Sequence, residues 1–232
     1  MLFINPPFGN YITLPSTISI KGSFTLEPRE GLIMQILKTL RYSFIYDGWV
    51  NKIGLRNKGI DWALKNTNER DILSIAILNK KDIPILNEKI PENRNIEINV
   101  SCPNAEKEVI NSGISEFINN KRKWCIIKLS PKTTEKQIDE YYAMGFKQFH
   151  CCNTIPIKEG GLSGSSLIPY TSAKIKYINE KYPDTIVIAG GGIKTYNDII
   201  HYKFLGANNF SVSTLIFNPY GFAKLYYNYC KK

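Results

Sequence analysis

The chain has 232 residues, 43% of them hydrophobic and 22% charged, enough to bury a core and too apolar for a disordered polypeptide. Its formal charge of +10 is scattered, with the densest group at Lys121-Arg122-Lys123, which reads as a solvated basic cluster at a helix end and not as a nucleic-acid face. No uninterrupted apolar run reaches ~18 residues and no basic-then-apolar leader opens the chain, so a cytoplasmic protein without a membrane span is expected. Five cysteines (Cys102, Cys125, Cys151, Cys152 and Cys230) form no CxxC pair, and His150 and His201 are the only histidines, which argues for reduced thiols and against a metal cluster.

Short strands open the chain: "LFINPP" (2–7) and "TISIKGS" (17–23), joined by "FGNYITLPS", which is too short to hold a helix. "DILSIAIL" (71–78) reads as a buried strand. The Pro-rich "NKKDIPILNEKIPENRN" after it has room only for a short or irregular helix. Strand "IEINVSC" (96–102) leads into a helix over 104–121, where Val109, Ile110, Phe117 and Ile118 have helical spacing. Strand "WCIIKLS" (124–130) precedes helix "TEKQIDEYYAMG", and strand "FKQFHCC" (146–152) precedes a glycine-rich loop and helix "SAKIKYINEKY". Strand "TIVIAGGG" (185–192) and helix "TYNDIIHYKFLG" follow, then strand "NNFSVSTLI" (208–216) and helix "YGFAKLYYNYC". Five strand–helix units plus three earlier strands make eight, the number that closes a compact α/β (β/α)8 barrel, here a single domain over 1–232.

A barrel of this type carries its functional groups at the C-terminal ends of the strands. Those ends hold Cys102 and Asn104, Lys128, Asn153 and Thr154, Gly191 and Gly192, and Ser213 and Thr214, while strand interiors read as apolar. "AGGGI" and the Ser213-Thr214 hydroxyls suit a phosphate, with "EGGLSGSSL" (159–167) as a loop closing over the same side. Lys128 either pairs with an anionic or electron-rich partner or snorkels to water. Cys102 has three readings: buried structural thiol, nucleophile, or general base. No His–Asp pair is evident to activate a nucleophile, and chemistry alone does not choose between base and bystander.

"INVSCPN" (98–104) resembles the signature of the dihydroorotate dehydrogenases, the FMN enzymes of pyrimidine synthesis. "SFTLEPREG" and "VNKIGLRNKGID" before it, and "IKLSP", "CCNTIPI", "GGLSG", "AGGGI" and the Ser-Thr pair after it, stand in that family's order, over about residues 20 to 218. The resemblance implies a substrate site of Asn51, Gly54, Leu55, Asn99, Asn104, Asn153 and Thr154, whose amides suit the alternating C=O and N–H edge of dihydroorotate. It implies FMN held by Gly22, Ser23, Asn99, Lys128, Ser163, Gly164, Gly191, Gly192, Ser213 and Thr214. Cys102 would take a proton from C5 while hydride passes from C6 to the flavin, with Lys128 beside the ring. Cys at position 102 is similar to the class 1 enzymes, whereas Gly22, with Lys21 one place earlier, is similar to class 2.

The resemblance also implies a homodimer using fumarate, or a chain that reaches NAD through a separate iron–sulfur flavoprotein subunit. The absence of an N-terminal membrane-binding segment argues against quinone. "NPPFGNYI" departs from the family's first turn, which leaves a non-catalytic or altered-specificity FMN/pyrimidine-binding relative as an alternative. A dihydrouridine synthase-like, tRNA-modifying flavoenzyme is another, but it leaves the four asparagines unexplained and lacks the expected RNA-binding extension. Dihydropyrimidine dehydrogenase is disfavoured by Asn104.

Overall fold

The computed structural model describes residues 1–100 and 113–231. Eight strands close a parallel barrel: β1 (Leu2–Ile4), β2 (Thr17–Phe24), β5 (Ile72–Ile75), β6 (Ile96–Asn99), β7 (Cys125–Lys128), β8 (Gln148–Cys151), β11 (Ile186–Gly190) and β12 (Asn209–Val212). Their order around the barrel is β1-β12-β11-β8-β7-β6-β5-β2. The eight expected strands are therefore present and the (β/α)8 class holds.

Alternation along each strand sorts the side chains. Leu73, Ile75, Ile96, Ile98, Ile127, Phe149, Val187 and Val212 join the outer core under the helices. Phe3, Ile20, Ile72, Trp124, Ile126 and Ile188 form a second buried cluster. It lies inside the barrel, because the Phe3 and Trp124 rings meet edge-on at 5.3 Å although β1 and β7 are not neighbours. One layer nearer the C-terminal ends the interior turns polar: Ser74, Glu97, His150 and Ser211 are all at most 2% exposed. This corrects the apolar reading of the strand interiors.

Among the described residues the α-helices are α1 (Leu32–Thr39), α2 (Gly59–Asn66), α3 (Asp82–Lys89), α4 (Glu135–Ala143), α5 (Ile168–Lys181), α6 (Tyr196–Phe204) and α7 (Pro219–Cys230). Thr134 and Gln137 cap α4 reciprocally: the Gln137 N–H donates to Thr134 Oγ1, and the Thr134 N–H donates to Gln137 Oε1. Helix α5 starts earlier than expected, because Pro169 suits its first turn. As anticipated, β1 and β2 are joined without an α-helix, by a 3-10 turn over Phe8–Asn10.

Other expectations need correction. Half of the helix expected over 104–121 lies outside the described residues. Its described part is a 3-10 turn over Ile114–Phe117 followed by extended Ile118. No helix ends at Lys121-Arg122-Lys123, and Arg122 is buried, donating from Nη1 to the Arg94 carbonyl. The last barrel strand stops at Val212, and a 3-10 turn covers Thr214–Phe217.

A second sheet was not anticipated. Strands β3 (Arg41–Ser43), β4 (Gly48–Asn51), β10 (Gly160–Gly164) and β9 (Ile155–Ile157) pair antiparallel in the order β3-β4-β10-β9. The segment "EGGLSGSSL", read as a loop, thus contains a strand that pairs with both β4 and β9. Among the described residues no helix is long and apolar enough to cross a membrane.

Candidate active site

A cavity of about 970 Å³ opens at the C-terminal ends of the barrel strands, with β4 and β10 of the second sheet in its wall. Register explains which side chains reach it. On β6, Glu97 and Asn99 share the inner face, and Asn99 is paired in register with Lys128, which is paired in turn with His150.

Asn99, Asn153, Thr154 and Lys128 line the cavity from the barrel, and Asn51, Gly54 and Leu55 line it from β4 and the loop after it. Asn153 Nδ2 donates to Asn99 Oδ1 at 3.3 Å, and Asn99 Nδ2 donates to Ser23 Oγ at 3.0 Å, so two of the expected amides are locked to each other and to β2. Leu55 has φ of 56°, a left-handed conformation uncommon for a branched aliphatic residue. Asn57 holds it, donating from Nδ2 to the Leu55 carbonyl at 2.7 Å while its Oδ1 accepts from the Gly59 N–H at 2.8 Å.

Gly22, Ser23, Ser163, Gly164, Gly191, Gly192, Ser213 and Thr214 line the same cavity. Gly191 and Gly192 have φ of 87° and 84°, so two successive left-handed residues turn the chain between β11 and α6. Both glycines line the cavity at the end of β11, where the sequence predicts an anion-binding turn. The Ser213 hydroxyl, expected as an anion donor, donates instead to the Pro6 carbonyl at 2.8 Å. Cys102 and Asn104 lie outside the described residues.

Lys128 is 7% exposed, which excludes the snorkelling alternative. Its Nζ lies 3.5 Å from Glu97 Oε1. The anionic partner that its burial requires is therefore supplied by the protein. Burial works against the Glu97 charge, but Lys128 and then His150, with the Ser74 hydroxyl, outweigh it and hold the carboxyl down at about 2. Burial pushes the His150 imidazole below its ordinary value despite the pull of Glu97, so it is neutral at pH 7.

Sequence reasoning missed several of these groups. It found no histidine–carboxylate pair, yet His150 Nδ1 lies 2.6 Å from Glu97 Oε2. The signal was available: Glu97 alternates with Ile96 and Ile98 in a buried strand, and a carboxylate there needs a partner. Asn5 and Asn10 were also missed. Asn5 lines the cavity, and its Oδ1 is buried with no hydrogen-bond partner among the described residues.

The family model for dihydroorotate dehydrogenase matches residues 10–225. The chain is 28% identical to the dihydroorotate dehydrogenase B (NAD(+)) catalytic subunit of Petrotoga mobilis, over 90% of this chain and 79% of that protein. It is 29% identical to a relative from Aquifex aeolicus provisionally named dihydroorotate dehydrogenase A (fumarate), over 73% of this chain and 67% of that one. Among solved structures, that of Eimeria tenella DHODH in complex with ferulenol superposes with a TM-score of 0.64 at 19% identity, covering 87% of this chain and 69% of that one, a likeness of fold. On the match over residues 10–225, this chain belongs to the dihydroorotate dehydrogenase family.

Proposed function

We propose that this chain, as one barrel domain, binds FMN in the mouth cavity and oxidises dihydroorotate to orotate. The observation that carries the reading is the convergence of Asn51, Asn99 and Asn153 on one cavity that also holds Lys128 and the Gly191–Gly192 turn. Three amides together offer both donors and acceptors to a flat ring with alternating C=O and N–H groups. Family membership supplies the reaction class, and the cavity supplies groups of matching chemistry.

The donor set fits FMN. The backbone at Gly191, Gly192 and Thr214, with Ser163 and Gly164 beside it, suits the phosphate. Lys128 supplies a cation for a ring that gains negative charge on reduction. The unpaired Oδ1 of Asn5 offers an acceptor to a ring N–H. Bound FMN supplies the redox chemistry, taking up the hydride equivalent and passing the electrons on.

The other roles belong to the chain. Asn51, Asn99, Asn104 and Asn153 orient the substrate ring, with Gly54, Leu55 and Thr154 beside it. Gly22 and Ser23 border the flavin. Cys102 Sγ takes the proton from C5, a role that rests on the "NVSCPN" motif; a thiol with a reference pKa of ~8.5 is a competent base once its surroundings poise it.

Orotate formation tests the reading. Protein reconstituted with FMN is supplied with dihydroorotate and fumarate, and separately with an artificial dye as oxidant. Orotate with either oxidant is expected. Bound FMN with no orotate under any oxidant would overturn the proposal.

A further inference from the structure

The polar layer inside the barrel is organised around Glu97. Ser74 Oγ donates to Oε1 at 2.8 Å, and Lys128 Nζ approaches the same oxygen to 3.5 Å. His150 Nδ1 lies 2.6 Å from Oε2. The other side of the imidazole faces Ser211 Oγ at 3.0 Å and Asn5 Nδ2 at 3.2 Å. A carboxylate only accepts, so the ring nitrogen facing Glu97, Nδ1, carries a proton and donates it to Oε2. Gly190 makes room for the ring, since a Cβ there would lie 2.6 Å from Nε2.

The charged and titratable groups facing Glu97 are Lys128 from β7 and His150 from β8. Ser74 from β5, Ser211 from β12 and Asn5 from β1 complete the surround. A fully buried carboxylate is retained only where its partners compensate its desolvation. Of these partners, Lys128, Asn5 and Ser211 also line the cavity, so the network links the barrel interior to the site.

We propose that Glu97 and His150 are positioning residues for Lys128: the imidazole fixes the carboxylate, and the carboxylate fixes the ammonium in the cavity wall. The inference rests on the dehydrogenase reading for what Lys128 faces, namely the flavin ring. The relay itself is a property of the protein without cofactor. His150 acts as a neutral donor, so it orients Glu97 without competing with Lys128 for its charge.

Two kinds of measurement test this. In flavin-free protein, the two Hε protons of Lys128, assigned by their loss in Lys128→Arg, are expected at separate NMR frequencies, the mark of one fixed rotamer. Glu97→Gln is expected to average them, and imidazole 15N shifts are expected to place the His150 proton on Nδ1. Averaged Hε protons in the unmodified protein, or an Nε2–H tautomer, would overturn the proposal.

In FMN-loaded protein, Glu97→Gln and Lys128→Met are each expected to slow single-turnover flavin reduction by at least about tenfold. The double variant should fall within about twofold of the slower single one, because both act through one group. Independent, multiplying effects would overturn the proposal. His150→Gln, which keeps a donor toward Glu97, should retain more activity than His150→Leu, and it serves if the latter fails to fold. If the unmodified protein binds FMN but dihydroorotate leaves it oxidised, the dehydrogenase reading fails, and the Lys128 resonances still decide the positioning claim.

Discussion

Asn10 pairs with both backbone groups of Gly22: its Oδ1 accepts from the Gly22 N–H at 2.8 Å, and its Nδ2 donates to the Gly22 carbonyl at 3.3 Å. One side chain thus imitates a strand neighbour at a cavity-lining position of β2. The "NPPFGNYI" departure therefore rebuilds that wall of the site with a side-chain amide. Asn10→Ala leaves both Gly22 groups without these bonds and is expected to cost about 1–3 kcal/mol of stability. A urea midpoint measured on flavin-free protein checks this, and an unchanged midpoint would show that Asn10 is dispensable.

Gly192→Ala places a side chain on a left-handed residue, where its Cβ would also lie 2.5 Å from Ile168 Cγ1. Strain and overpacking act together, and a loss of about 1–3 kcal/mol is expected. FMN affinity should fall as well, because Gly192 lines the cavity proposed to hold the cofactor. Thermal unfolding and a flavin fluorescence titration report the two effects separately.

The buried Glu97–His150 pair makes stability depend on pH. Glu97 has a folded-state pKa of about 2, below its ordinary 4.5, so its contribution is complete above 4.5 and is lost as pH falls toward about 2. The His150 pKa is also lowered, so the folded state binds its proton less readily than the unfolded chain, and stability falls as pH drops below the ordinary 6.5. Both effects have one sign: acidification from pH 7 should destabilise the protein, first through His150 and then through Glu97. Urea unfolding at a series of pH values is expected to show this slope, and a His150→Gln variant should lose the part that begins near 6.5. An equal slope in the variant would mean that other groups dominate.

Asn153 is joined to Asn99, which is joined to Ser23, so its loss should disturb substrate orientation more than the fold. Asn153→Ala is expected to lower kcat/KM for dihydroorotate by about 10- to 100-fold, the cost of leaving a ring hydrogen bond unmade. Steady-state kinetics measure this, and an effect below twofold would remove Asn153 from the substrate site.

The barrel was legible because its strands alternate with helical patterns from about residue 68 onward. Capped helices such as the one opened by Thr134 and Gln137 carry their own start signals. The second sheet was not legible. Its strands are three to five residues long, and β10 reads "GGLSG", a composition that alone predicts a loop. It becomes a strand because β4 and β9 pair with it on both sides, a tertiary effect. Cavity-lining residues at strand ends were legible from motif and topology. The Glu97–His150–Ser211–Asn5 network was not, because its members are far apart in sequence and meet only when the barrel closes.

In the proposed reaction dihydroorotate delivers its electrons to FMN in this cavity, with Cys102 removing the proton. The most direct test is anaerobic. FMN-loaded protein is mixed with dihydroorotate, and the visible flavin absorbance is followed in time. Rapid bleaching is expected in the unmodified protein, and bleaching at least about 100-fold slower in Cys102→Ala. Flavin that stays oxidised with dihydroorotate, or a Cys102→Ala variant that bleaches equally fast, would contradict it.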